Sequence, residues 1–166
     1  MTDDAIVLLR ADHREIRRLF REFLAAGDNA VKTKARLVDR IIRLLTIHAY
    51  IENEVMYPEV RLLLPDLEQD ILESYEEHHV ADVLCVELAA MPAGAERFDP
   101  KTMVLIESVS QHIENEEKDW FPKVRAGLSR RQLQEIGAKL RQARQKAPTA
   151  PTQPSALKRT IDAVIS

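Results

Sequence analysis

The sequence predicts an all-α fold: an antiparallel up-down four-helix bundle with an additional C-terminal helix and a Pro-rich tail. Three observations carry this expectation. Among 166 residues there are 4 glycines and 5% aromatics, helix formers abound, and no stretch alternates with the period of a strand. Apolar residues recur at helical spacing in four long segments separated by Gly- or Pro-bearing breaks. Finally, the pattern that starts at Asp12 is repeated from Glu77 onward.

The first helix is expected from about Asp3 to Ala26, with Ile6, Leu9, His13, Ile16, Leu19, Phe20 and Phe23 on one face, and Gly27-Asp28-Asn29 ends it. A second runs from about Val31 to Leu64, with Val38, Ile41, Ile42, Leu45, His48, Glu52 and Val55 inward and a kink at Pro58. Pro65 stops it, and Asp66 is the expected cap of a third helix reaching Met91, with Ile71, Leu72, Tyr75, His78, Leu84, Cys85 and Leu88 for the core. Asp99-Pro100 reads as an N-cap and first helical position for a fourth helix to about Ala126, with Leu105, Val109, His112, Glu116 and Trp120 inward and Glu114, Glu117 and Lys118 mostly solvated. Ser129 to Gln132 has the capping-box pattern of a fifth, more polar helix ending at Lys146. The Pro, Thr and Ala residues from Ala147 to Ser155 read as extended chain, and Ala156 to Ile165 as a short amphipathic helix. The expected division is therefore a bundle over 1–128, an accessory helix over 129–146 and a tail over 147–166.

The 24 basic and 27 acidic side chains nearly balance, and no long basic run invites nucleic acid or an anionic membrane, so neither is an expected partner. No segment has the roughly 18 consecutive apolar residues of a membrane span. The acidic start and the early Arg10, Asp12, His13 and Arg14 do not read as a secretory leader, and a single cysteine, Cys85, fits a reducing compartment. The expected location is the cytoplasm. The tail is the candidate surface for a protein partner.

The repeat carries the chemistry. His48-x3-Glu52 is followed by Tyr57-Pro58, and His112-x3-Glu116 by Phe121-Pro122; each is preceded, at nearly the same distance, by an acid-His pair, Asp12-His13 or Glu77-His78. His and Glu four apart share a helix face. Folding the repeats together would place His13, His48, Glu52, His78, His112 and Glu116 in one bundle interior. Burying such a set bare would cost several kcal/mol per ion, whereas a metal would neutralise it. Imidazole with carboxylate suits iron, manganese or zinc, and one cysteine argues against thiolate zinc or iron-sulfur sites. Two carboxylates from opposite repeats can each bridge two ions, so two irons are the expected occupants. The third helix carries two adjacent histidines. His78 lies nearer the centre of its apolar face and keeps register with His13, but His79 remains a candidate ligand. Tyr75, one turn from this pair, is the first choice for a phenol beside the ligands, while Tyr50, Tyr57 and Trp120 read as packing.

The pattern H…HxxxE…H…HxxxE, with a proline after each HxxxE, resembles the hemerythrin-like, or HHE cation-binding, family over about residues 8–125. The resemblance implies a four-helix bundle with an oxo- or hydroxo-bridged non-haem di-iron centre in which Glu52 and Glu116 bridge. Oxygen-carrying hemerythrins have an HxxxH pair on the third helix; here Ser74 and Asp82 flank His78 at that spacing. The departure argues against reversible dioxygen storage. What the resemblance then implies is decomposition of hydrogen peroxide in oxidative or nitrosative stress defence, or alternatively non-catalytic binding or sensing of dioxygen, nitric oxide or iron.

Overall fold

The computed structural model describes residues 3–151. The proposed short helix in the tail lies outside them. Helix α1 (Ala5–Ala25) is capped by the Asp4 carboxylate, which accepts from the Val7 amide, and its buried residues include the whole predicted face from Ile6 to Phe23. Helix α2 (Val31–Ile51) runs antiparallel to it: Asp12 meets His48 and Glu15 meets Arg40.

Each repeated motif ends in a π turn rather than a simple kink. After α2 the backbone passes through Glu52–Met56, where the Tyr57 amide donates to the Glu52 carbonyl five residues back, and then enters α3 (Tyr57–Leu63). The second copy does the same. Helix α5 (Phe98–Asn115) leads into Glu116–Trp120, the Phe121 amide donates to the Glu116 carbonyl, and α6 (Phe121–Gly127) follows. Pro58 and Pro122 have no N–H to continue a π ladder, so α-geometry resumes at them. The extra residue in each turn brings the position five after the glutamate back toward the glutamate's own face, and Tyr57 and Phe121 are both fully buried.

Between these halves, a single 3-10 turn at Pro65–Leu67 leads to α4 (Glu68–Ala89). The predicted caps at Asp66 and Asp99 do not form: the residues before α4 and α5 are Leu67 and Arg97, neither with a side-chain cap. Asp99 instead receives the buried Lys34 ammonium at 2.6 Å, and Lys34 also lies over the Phe23 ring. Leu72, expected in the core, is 40% exposed because the inward stripe of α4 runs through Ile71, Ser74, His78, Cys85 and Leu88.

The four long helices close a ring in which α1 neighbours α2, α2 neighbours α4, α4 neighbours α5 and α5 neighbours α1. Two apolar layers fill it. One contains Ile16, Leu19, Phe23, Val38, Ile41, Cys85 and Leu105; the other contains Leu9, Ile51, Tyr57, Ile71, Trp120 and Phe121. Helix α7 (Arg130–Lys146) begins with the predicted capping box of Ser129 and Gln132 and packs on α1 and α2. Its Leu133, Ile136 and Leu140 enter the second layer, each fully buried side chain contributing roughly 1.5–3 kcal/mol. Gly137 permits this docking, since a Cβ there would lie 2.6 Å from the Asp3 carbonyl oxygen. No helix among the described residues is long and apolar enough to cross a membrane.

Candidate metal centre

A polar layer joins the two apolar ones. His13 from α1, His48 from α2, His78 from α4 and His112 from α5 meet Glu52 and Glu116 there, all of them buried. Two groups of ligand atoms form, each with all atoms within 4.8 Å of one another: His13, His48, Glu52 and Glu116 in one, and Glu52, His78, His112 and Glu116 in the other. Both glutamates belong to both groups, the position of a bridge. His79 belongs to neither, and its Nδ1 is buried beside Asp82 without a hydrogen-bond partner among the described residues.

The outer nitrogens of all four histidines are engaged. His13 Nδ1 donates to Glu117 at 3.0 Å, His48 Nδ1 to Asp12 at 2.9 Å, His78 Nδ1 to the Asn53 side-chain oxygen at 2.8 Å and His112 Nδ1 to Glu77 at 3.0 Å. Carboxylate and amide oxygens only accept, so each Nδ1 carries the proton and each Nε2 is left to face inward. At the centre, His13 Nε2, Glu52 Oε2 and Glu116 Oε2 have no hydrogen-bond partner among the described residues, while His48 Nε2 meets Glu52 Oε1 at 2.5 Å. His78 Nε2 and His112 Nε2 face each other at 3.1 Å. Inward, unpartnered nitrogen and oxygen donors with supported outer nitrogens are what a cation of intermediate hardness requires, and the residues present fit one.

The charge balance points the same way. Burial opposes protonation of His48, but the Glu52 and Asp12 carboxylates outweigh it and raise its pKa to about 10. For His112, burial is likewise outweighed by Glu116, Glu77 and Glu52, and its pKa stands well above the usual value. Burial and then the neighbouring imidazole push His13 down to about 4 and His78 down to about 3. Burial, followed by repulsion from Glu52, raises Glu116 to about 7, whereas burial of Glu52 is outweighed by His48, His78 and His112 and its pKa falls. Without a cation, the centre thus holds protons on His48 and His112 in place of metal charge.

Five positions near the centre, Asp12, Asn53, Tyr57, Glu77 and Glu117, carry roles that the sequence alone did not fix. The acids preceding His13 and His78 were visible as part of the repeat, but their grip on His48 and His112 depends on helix pairing. Glu117, expected to be mostly solvated, also binds Arg17 at 3.0 Å. Tyr57, read as packing, is the phenol in the layer: its oxygen lies 3.2 Å from His78 Nε2 and 3.4 Å from His112 Nε2, and it donates to Glu116 at 3.4 Å. Tyr75, the expected phenol, instead donates to the Asn53 carbonyl at 3.4 Å, the acceptor that Pro58 cannot serve. In the other half Phe121 stacks on His13 with the rings 5.6 Å apart. A mainly apolar cavity of about 30 Å³, room for one or two water-sized molecules, abuts His48, His78 and His112 and is walled by Ala81, Cys85 and Val109.

Comparison with known proteins agrees with this geometry. A Mycobacterium kansasii protein containing a hemerythrin HHE cation binding domain has the same fold, with a TM-score of 0.71 at 22% identity over 87% of this chain and 89% of that one. A DNA nickase of a Nostoc species is 29% identical over 84% of this chain, and an uncharacterised hemerythrin-like protein of Schizosaccharomyces pombe is 24% identical over 83%. The chain spans 38% of the nickase's length and 68% of the yeast protein's. The family model described as Hemerythrin HHE cation binding domain matches residues 4–124, through both His-x3-Glu motifs and their prolines. The chain therefore belongs to the hemerythrin HHE cation-binding family.

Proposed function

We propose that the chain holds two iron ions between its repeats and decomposes hydrogen peroxide. His13 and His48 would hold one ion, His78 and His112 the other, and Glu52 and Glu116 both. The observation that supports this most directly is the pair of four-ligand groups sharing two buried glutamates. Such an iron pair supplies two-electron exchange by moving between diferrous and diferric states. Over a full cycle one peroxide is reduced to two waters and a second is oxidised to dioxygen, so no outside donor is needed.

The protein's own groups suit a small, neutral reactant. The cavity beside His78 and His112 admits molecules of about two heavy atoms, and its apolar wall of Ala81, Cys85 and Val109 limits bulk water. Burial and then Glu116 and Glu52 hold the Tyr57 phenol well above its usual pKa, so its oxygen keeps its proton at the edge of the ligand layer. The Cys85 thiol is pushed up to about 12 by burial, which makes it a neutral wall residue rather than a redox thiol.

The test is metal analysis followed by peroxide challenge. About two irons per chain and oxygen release in a 1:2 ratio to peroxide consumed are expected. Two irons with no turnover, but a reversible spectral change under dioxygen or nitric oxide, would replace the enzymatic reading with a carrier or sensor. Iron near zero after expression in iron-rich medium would overturn both. Because one relative is named a nickase, supercoiled plasmid incubated with the same metal-loaded protein tests that activity directly; intact plasmid is the expected outcome.

A further inference from the structure

The two halves of the centre differ in what stands behind the residues that grip the histidines. In the His13 and His48 half, each gripping carboxylate is itself held by an arginine. Arg17 donates to both oxygens of Glu117, at 3.2 and 3.0 Å, and Arg144 donates to Asp12 Oδ2 at 2.7 Å. That same Asp12 oxygen accepts from His48 Nδ1 at 2.9 Å. In the other half, Asn53 is neutral, and Glu77 forms no ion pair with an arginine or lysine among the described residues.

Arg144 lies on the last turn of α7, beyond the residues matched to the family. The helix is anchored independently by Leu133, Ile136 and Leu140 and by the close approach at Gly137, which fixes where its last turns fall. Asp12 is only 8% exposed, so its orientation depends on the few donors that reach it. The guanidinium therefore fixes the carboxylate that sets the plane of the His48 imidazole, and so the direction of the nitrogen it offers to the centre.

We infer that Arg144 is a positioning residue for the metal centre, through which helix α7, outside the family domain, governs how firmly the His13 and His48 half keeps its ion. The inference rests on the metal-binding reading above. It predicts a one-sided effect, which a general loss of packing would not produce.

The experiment follows iron release from the loaded full-length protein into an excess of chelator, with Arg144→Gln, Arg144→Lys and, as a control at another arginine-aspartate surface pair, Arg125→Gln, which loses only its link to Asp4. Wild type should hold two ions. Arg144→Gln should release one of them about tenfold faster and leave the other unchanged, as loss of a residue supporting a ligand does. Arg144→Lys should recover part of the difference, and Arg125→Gln should match wild type. The metal-free melting temperature of Arg144→Gln should stay within about 3 °C of wild type, because the buried Asp12 carboxylate keeps its hydrogen bond to His48. Unchanged release, equal acceleration of both ions, or acceleration matched by a large fall in metal-free melting temperature would each overturn the inference while leaving the metal reading intact. A wild type that takes up no metal would overturn the metal reading and this inference with it.

Discussion

Set side by side, the two halves of the repeat agree in their ligands and disagree around them. His13, His48 and Glu52 have counterparts in His78, His112 and Glu116, and Asp12 has one in Glu77. At the next positions the copies part: Asn53 stands where the other half has Glu117, Tyr57 where it has Phe121, and only the His13 and His48 half is backed by arginines. The half with the neutral Asn53 also has the phenol and the cavity. Duplication supplies a symmetric donor set, and divergence at adjoining positions makes its two ends chemically unlike. A ligand in the cavity meets both histidines of one half, His78 and His112, but only His48 of the other.

The glutamates are where the comparison is easiest to break. Both Glu52 oxygens are buried, only Oε1 meets a partner, His48 Nε2, and the residue belongs to both groups. Glu52→Ala should therefore take iron from about two ions per chain to near zero, whereas a residue serving one end would remove one. Metal analysis of the purified variant reads this directly, and a variant retaining a full ion would show that the halves are independent. The next largest effect separates the ends. His13→Ala and His78→Ala should each halve the iron content, while His79→Ala should leave it unchanged because His79 lies outside both groups. Loss of iron only in His79→Ala would reassign the third helix.

The fold and the convergence of the candidate ligands were legible in the sequence for the same reason: each is periodic. Ile6 to Phe23 and the His-x3-Glu pairs follow a helical repeat that a single-helix projection captures, and the duplication showed which histidines keep register. The capping box at Ser129 is equally local. What escaped depends on more than one helix or on a break in helical geometry. Asp12 and Glu77 were visible as acids before histidines, but they grip the histidines of neighbouring helices, not their own. Glu117 points along a seam to His13 and Arg17, which a wheel of its own helix assigns to solvent. Tyr57 was missed because a regular α-helix turns it off the glutamate's face, and the π turn brings it back. Asp99 was read as a cap because nothing local announces that a buried Lys34 will claim its carboxylate.

Proton binding sharpens the comparison at smaller magnitude. In metal-free protein the raised pKa of His48, about 10, means that the folded state keeps a proton the unfolded state loses above about 6.5. Its contribution is complete below pH 6.5 and is lost as the pH climbs toward 10, and His112 acts in the same direction. His13 and His78, lowered to about 4 and about 3, do the reverse: the unfolded chain binds protons they refuse, so stability falls as the pH drops from 6.5 toward those values. Glu116, raised to about 7, offsets one of these two histidines between about pH 4.5 and 7. Metal-free stability should peak near pH 6.5 to 7 and fall on either side by on the order of 1 kcal/mol per pH unit. Urea denaturation at pH 5, 6.5 and 9 measures it. Bound metal replaces the protons on His48 and His112, so the loaded protein should lose the alkaline decline; a metal-free protein that only gains stability from pH 5 to 9 would contradict the charge balance.

The smallest stability effect falls where the copies differ by a single oxygen. Tyr57→Phe makes this position match Phe121 while keeping the ring that packs against Trp120 and Tyr75. The lost hydrogen bond to Glu116 is long, at 3.4 Å, so the cost should be at most about 1 kcal/mol, and less if Glu116 turns fully to the metal. Iron content should stay at the wild-type level, because the phenol belongs to neither ligand group. The consequence should appear in chemistry instead. Without the phenol the layer loses the protonated oxygen that lies 3.2 Å from His78 Nε2 and 3.4 Å from His112 Nε2, and oxygen release from peroxide should slow by about 10²-fold if that proton is transferred in the reaction. A variant with full iron and unchanged turnover would reduce Tyr57 to packing and leave the cavity and the Asn53 contact as the differences that distinguish this end.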